Sequence, residues 1–128
     1  MQTFSIGASI LILLHALSHA QDYPNKNVRI IAPFPPGGSV DTVGRLIGAR
    51  LSESYGQQFV IDNRPGASGN IGMELAANAP ADGYTLVVNT IPLVTNQFLY
   101  NKVPYDVLRD FAAISLLTST ASVMLVHP

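Results

Sequence analysis

A chain of 128 residues has room for one domain at most. Its formal net charge of -1 removes the electrostatic case for nucleic acid, and 48% hydrophobic with 12% charged residues describes a globular chain rather than a disordered one. The lack of any cysteine excludes disulfides, a thiol nucleophile and a lipid-modified cysteine.

Residues 1–20 have the pattern of a secretory signal peptide. An uncharged apolar run over 6–14 is followed by Ser18 and Ala20, small residues at the -3 and -1 positions of a cut before Gln21. The segment departs from the pattern in having no Lys or Arg before the apolar run. A membrane anchor needs about 20 continuous apolar residues, and His15, Ser18 and His19 interrupt this one well short of that. The expected product is an exported chain of residues 21–128, which leaves His127 as its one histidine.

The first structural unit of that product is a strand, a corner and a helix. Val28, Ile30 and Ile31 have β-branched strand character, and Pro33, Pro35 and Pro36 cannot extend a ladder because they lack an N–H. Gly37 and Gly38 let the chain turn sharply. Val40, Val43, Leu46 and Ile47 then recur at helical spacing, giving a helix over about 40–55 that stops at Gly56. Asp41 falls in its first turn, and an i,i+4 pair with Arg45 is expected.

A second strand is expected over 59–61, and a second helix from Ile71 to about Asn78 with Ile71, Leu75 and Ala79 on its apolar face. A third strand follows over 84–88, apolar nearly throughout, as befits a strand covered on both faces. Three strands joined by two helices make a βαβαβ unit, hence an α/β fold with a parallel sheet. Beyond it the pattern weakens. Residues 92–100 read as either a loop or a short helix, 107–111 as one helical turn, and 112–117 and 121–127 as two further strands.

Three loops leave the carboxyl ends of the three strands, where open parallel sheets bind ligands. The first carries Phe34, Pro36, Gly37, Gly38 and Ser39 and leads to Asp41; the second carries Ala67, Ser68, Gly69 and Asn70; the third offers Asn89 and Thr90. A helix that begins just after two glycines presents unpaired N–H groups and a partial positive charge, which suits an anion such as a carboxylate. The plainer alternative is that the glycines only turn the chain. The spacing of Gly66, Gly69 and Gly72 is not the dinucleotide fingerprint, and the first corner lacks the Gly-Lys-Ser/Thr ending of a phosphate loop. Arg64 either pairs with a neighbouring carboxylate or meets the ligand. Catalysis has little support, since there is no serine elbow, no histidine pair, and no carboxylate cluster to hold a metal. Neither a metal nor a cofactor is called for, and binding rather than chemistry is the expectation.

Several motifs point to a family. Tyr23-Pro24-Asn25-Lys26-Asn27-Val28-Arg29-Ile30-Ile31-Ala32-Pro33-Phe34-Pro35-Pro36-Gly37-Gly38-Ser39-Val40-Asp41 resembles the opening of the Bug family, the extracytoplasmic solute receptors of tripartite tricarboxylate transporters. The similarity continues through Asn63-Arg64-Pro65-Gly66-Ala67-Ser68-Gly69-Asn70-Ile71-Gly72, Ala81-Asp82-Gly83-Tyr84-Thr85-Leu86 and Leu99-Tyr100-Asn101-Lys102-Val103-Pro104-Tyr105-Asp106 to Asp110-Phe111. It implies lobe one of a two-lobed, type II periplasmic-binding-protein fold and a periplasmic, monomeric receptor without enzymatic activity. It also implies a small organic acid or amino acid held by backbone N–H groups and waters of the first two loops. The membrane components of a tripartite transporter would be its partners. Family members are much longer, so the expectation is a partial lobe one over 21–128 without the closing second lobe: a truncated receptor, a lobe reused as a sensing module, or a non-functional fragment.

Overall fold

The computed structural model describes residues 23–121, 123, 124 and 126. The signal-peptide expectation over 1–20, and the end of the chain at His127 and Pro128, lie outside the described residues.

Strand β1 (Val28–Ala32) is the centre of a three-stranded parallel sheet in the order β2-β1-β3. It pairs in register with β2 (Phe59–Asn63), from Val28 opposite Phe59 to Ala32 opposite Asn63, and with β3 (Thr85–Val87), where Ile30 meets Leu86. A central strand has both edges used, and its run of β-branched residues is accordingly buried: Val28, Ile30 and Ile31 have at most 1% of their surface exposed. The parallel α/β unit expected from the sequence is therefore present.

Helix α1 (Ser39–Tyr55) covers the face of the sheet that carries Val28, Ile30 and Phe59, with Leu51 and Ile61 packed against them. Gly56 ends it in the left-handed conformation and returns its N–H to the Ser52 carbonyl at 3.0 Å. Ser52 then joins the helix to the sheet, since its hydroxyl donates to the Gly48 carbonyl and accepts the Phe59 N–H at 2.9 Å. Helix α2 (Asn70–Ala77) links β2 to β3, and two shorter helices follow, α3 (Pro92–Leu99) and α4 (Val107–Asp110). The 92–100 stretch thus resolves as helix rather than loop. Among the described residues no helix is long and apolar enough to cross a membrane.

Three expectations are corrected. Helix α2 does not bury Ile71 and Leu75, which are exposed; it buries Asn70, Gly72 and Met73. Its rotation is fixed by close approach rather than by the apolar stripe, because a Cβ at Gly72 would lie 2.7 Å from the Pro33 Cβ and 2.9 Å from the Arg64 carbonyl oxygen. Strand β3 is half-buried, not covered on both faces. The segment 112–121 has no regular secondary structure and does not join the sheet, and Ile114 and Leu116 are exposed. An apolar strand sequence needs an edge to pair with, and this segment makes no ladder with β3 or β2. Of the last expected strand, the described positions are likewise without sheet pairing.

Gly72→Ala forces the end of β1 away from α2, so it should destabilise the fold by about 1–3 kcal/mol in urea titrations. A loss under roughly 0.5 kcal/mol, the range of an inert surface change, would show that the contact yields freely.

Candidate carboxylate-binding site

The first loop is shaped by one buried carboxylate. Pro33 is buried at the end of β1, and Gly37 turns the corner with φ +84°, a conformation that disfavours any side chain. Asp41, 4% exposed, accepts the Gly37 N–H at 2.9 Å, the Arg45 Nε at 3.0 Å and the Asn63 amide Nδ2 at 3.0 Å. Asn63 Nδ2 also lies 3.2 Å from the Phe34 carbonyl oxygen, so the end of β2 is tied into the same loop. The Arg45 guanidinium, then the Gly37 N–H and the Asn63 amide, hold the Asp41 carboxyl down to about 2 against a smaller opposing effect of burial.

This brace decides which amides are available. The Gly37 N–H is taken by Asp41. No side chain caps α1 at Gly38, and the N–H groups of Gly38, Ser39 and Val40 have no acceptor among the described residues. They stand at the head of a 17-residue helix, where the backbone dipole favours negative charge. A hollow of about 360 Å³ opens there, and Phe34, Pro36, Gly38, Ser39 and Thr90, all expected from the sequence, line it. A second hollow of about 490 Å³ shares Ser39, Val40 and Thr90 with it and extends along Val87, Val88 and Asn89. Neither is lined by a charged side chain. An anion there would be held by amide dipoles and hydroxyls.

The third loop supplies a rigid floor. Asn89 turns inward, its Nδ2 2.9 Å from the Met73 sulfur and its Oδ1 accepting the Thr90 N–H at 2.7 Å. Thr90 remains exposed, and its carbonyl accepts the Leu93 N–H, which starts α3.

The second loop behaves differently. Ala67, Ser68, Gly69 and Asn70 line neither hollow. They abut the first loop from behind: a Cβ at Gly69 would come 3.4 Å from the Phe34 ring. Ala67 and Ser68 have φ of +47° and +54°, left-handed values that cost a residue with a side chain roughly 1–2 kcal/mol each. Two of the loop's amides are spent internally, Gly69 N–H on the Gly66 carbonyl and Asn70 N–H on that of Ala67. The side chain of Asn70 is buried, its Oδ1 meeting Asn96 Nδ2 at 2.8 Å and the Tyr105 hydroxyl at 3.1 Å. Asn96 Nδ2 also donates to the Ser68 carbonyl at 3.0 Å, and the Tyr100 hydroxyl meets Ser68 Oγ at 2.9 Å.

Arg64 takes the first of the two roles open to it in the sequence, its Nε pairing with Asp62 at 2.9 Å. Asp62 is also bound by Arg29, and although burial opposes its ionisation the two guanidiniums hold its carboxyl below the usual range. Asn63, Asn96 and Tyr105 are not among the candidate site residues read from the sequence. The sequence offers no local signal for Asn63, and none for Asn96, which stands between the polar Thr95 and Gln97 in α3. Among the described residues no group of three His, Cys, Asp or Glu is placed to hold a metal.

Comparison with known proteins bears on this geometry. A model of the "Tripartite tricarboxylate transporter family receptor" matches residues 43–128. A Pseudomonas sp. (strain P51) protein described as "UPF0065 protein in tcbD-tcbE intergenic region" is 45% identical over 104 residues, 81% of this chain and 31% of its own length. The chain thus spans about a third of that relative. Among solved structures, R. palustris Rpa4515 with adipate is 49% identical with a TM-score of 0.66, over 68% of this chain and 29% of that one. MatC (Rpa3494) from Rhodopseudomonas palustris with bound malate is 33% identical with a TM-score of 0.65, over 74% and 33%. The periplasmic binding protein BugD is 32% identical with a TM-score of 0.64, over 66% and 28%.

The Asp41 brace has a pH signature. Its carboxyl is held down to about 2 in the folded chain against an ordinary 3.8 when unfolded, so its stabilisation is present above about pH 4 and lost as pH falls toward 2. Asp41→Asn should lower the melting temperature at neutral pH, with the gap to the unsubstituted chain closing between about pH 4 and 2. A gap that stays constant over that interval would show that the charge of Asp41 is not what holds the loop.

Proposed function

The chain belongs to the tripartite tricarboxylate transporter receptor family, and from that premise we propose that it forms one wall of a periplasmic binding site for a small dicarboxylate. The observation that carries this reading is the uncapped head of α1, where free N–H groups of Gly38, Ser39 and Val40 face a hollow without charged lining. One carboxylate of the ligand would accept these amides and the Ser39 and Thr90 hydroxyls, with water completing the contacts. Similar proteins hold adipate and malate, acids that share two carboxylates and differ in length, which supports the class rather than one member. Ligand delivery to the membrane components of a tripartite transporter completes the proposed role, and it rests on the family alone. The reaction-free character of the site fits a receptor, which is what the family comprises.

One wall buries too little of an acid to offset its immobilisation well, so the isolated chain should bind on the order of millimolar. Titration with adipate, malate and citrate, followed by amide NMR, should move Gly38, Ser39 and Val40 first. Gly38→Val tests the cradle without breaking the fold, because a Cβ there meets nothing closer than the Pro35 carbonyl oxygen at 3.5 Å. It should weaken binding by about tenfold or more, roughly the worth of a lost charge-assisted contact. Glu53→Gln, on an exposed side chain paired with Arg50, should change nothing. Equal affinities for the two variants would count against the cradle.

Export is the second part of the proposal, supported by the apolar run and small residues before Gln21. The mass of the chain recovered from the periplasm of an expressing bacterium should correspond to a start at Gln21; recovery of an uncut chain would contradict it.

A further inference from the structure

Behind the second loop lies a buried polar cluster that ligand contact does not explain. Asn96, on α3, is 2% exposed, and its Nδ2 serves both the Ser68 carbonyl and Asn70 Oδ1. Tyr105, 6% exposed and located in the turn before α4, brings its hydroxyl to the same Asn70 oxygen, with the Leu93 carbonyl 3.4 Å away as a second acceptor. Its ring packs edge-on against Phe111 at 6.0 Å. Two partners separated from Asn70 by 26 and 35 residues thus converge on one side chain. Apolar residues would fill the same space without the cost of desolvating three polar groups. What the polar groups add is a hold on the loop, and the loop needs one. Ala67 and Ser68 sit at positive φ, and the Ala67 and Ser68 N–H groups have no acceptor among the described residues.

We propose that Asn96 and Tyr105 are positioning residues for carboxylate binding, clamping residues 67–70 in the left-handed turn that keeps the Ala67 and Ser68 N–H groups free for the anion or its bound water. The clamp acts through Asn70 and the Ser68 carbonyl, and neither Asn96 nor Tyr105 touches the ligand. This assignment rests on the carboxylate reading above and adds to it the source of the second loop's shape.

The test uses the purified chain, Asn96→Ala, Tyr105→Phe, and Ala67→Gly placed on Asn96→Ala, with adipate and malate as probes. Hydrogen exchange is read at Gly69 and Asn70, whose amides close the turn on Gly66 and Ala67, and at Ile30 and Ile31 in β1 as the measure of the whole fold. Asn96→Ala should speed exchange at Gly69 and Asn70, leave β1 as it was, and weaken binding about five- to tenfold; Tyr105→Phe should do the same to a smaller degree, about two- to fivefold. Glycine adopts positive φ without penalty, so Ala67→Gly should restore part of the lost affinity. Unchanged exchange at Gly69 and Asn70, unchanged affinity, or no restoration by Ala67→Gly would each overturn the clamp. Should Asn96→Ala also expose β1, Tyr105→Phe decides, because it keeps the ring and removes one hydroxyl. Failure of the unsubstituted chain to bind either acid would sink the carboxylate reading instead, and the exchange comparison would still decide whether Asn96 and Tyr105 hold the loop.

Discussion

A single buried carboxylate organises the end of the sheet that matters. Asp41 reaches back to the Gly37 N–H, sideways to Asn63 at the end of β2, and along its own helix to Arg45. Gly37 and Arg45, each four residues away, and Asn63, 22 residues away, meet on its two oxygen atoms. Ionised acceptors make the stronger hydrogen bonds, and Arg45 offsets a charge that would otherwise repel an incoming anion. The residue at the cap position of α1 is Gly38, which has no side chain, so the first turn is left without a cap. The neighbouring amides of Gly38, Ser39 and Val40 are then free. The brace takes the Gly37 amide, and on the proposed reading the three amides that follow it form the cradle.

The two glycine-rich loops, alike in composition, serve the site by opposite means. In the first, the backbone is open and the rigidity comes from a charged side chain. In the second, two amides are consumed by the turn itself, and rigidity comes from neutral side chains on α3 and before α4. Every buried side-chain polar atom among the described residues finds a partner, so the cluster behind the second loop is a completed network rather than a site awaiting a ligand. On the proposed reading, a wall held by these bonds before any ligand arrives lowers the ordering cost of capture.

Much of this was legible in the residues, and the parts that were not share a cause. The strand, corner and helix of the first unit follow from β-branched residues, prolines that cannot continue a ladder, and a helical period ending at Gly56. The Asp41–Arg45 pair follows from spacing on one helix. The rotation of α2 was misread because its apolar stripe pointed to Ile71 and Leu75, while the face was fixed by backbone contact at Gly72. The strands expected after residue 111 were misread because an apolar extended segment does not say which edge it pairs with. Asn63, Asn96 and Tyr105 act across 22 to 35 residues of sequence, through partners that no local pattern names. Local chemistry was readable, and convergence was not.

The uncharged lining has a consequence for selectivity. A guanidinium in a binding site fixes a carboxylate by two directed bonds and by charge. Amide dipoles and hydroxyls grip any carboxylate of suitable size and are indifferent to what lies beyond it. Discrimination between acids of different length must therefore come from whatever receives the far end of the molecule. On the proposed reading, the place for that far end on this wall is the second hollow, which is lined by Val87 and Val88 and also by Asn89, Ser115, Thr118 and Thr120. Its aliphatic side chains would reward methylene groups at roughly 0.8 kcal/mol each, while its hydroxyls and amide could pair a polar substituent.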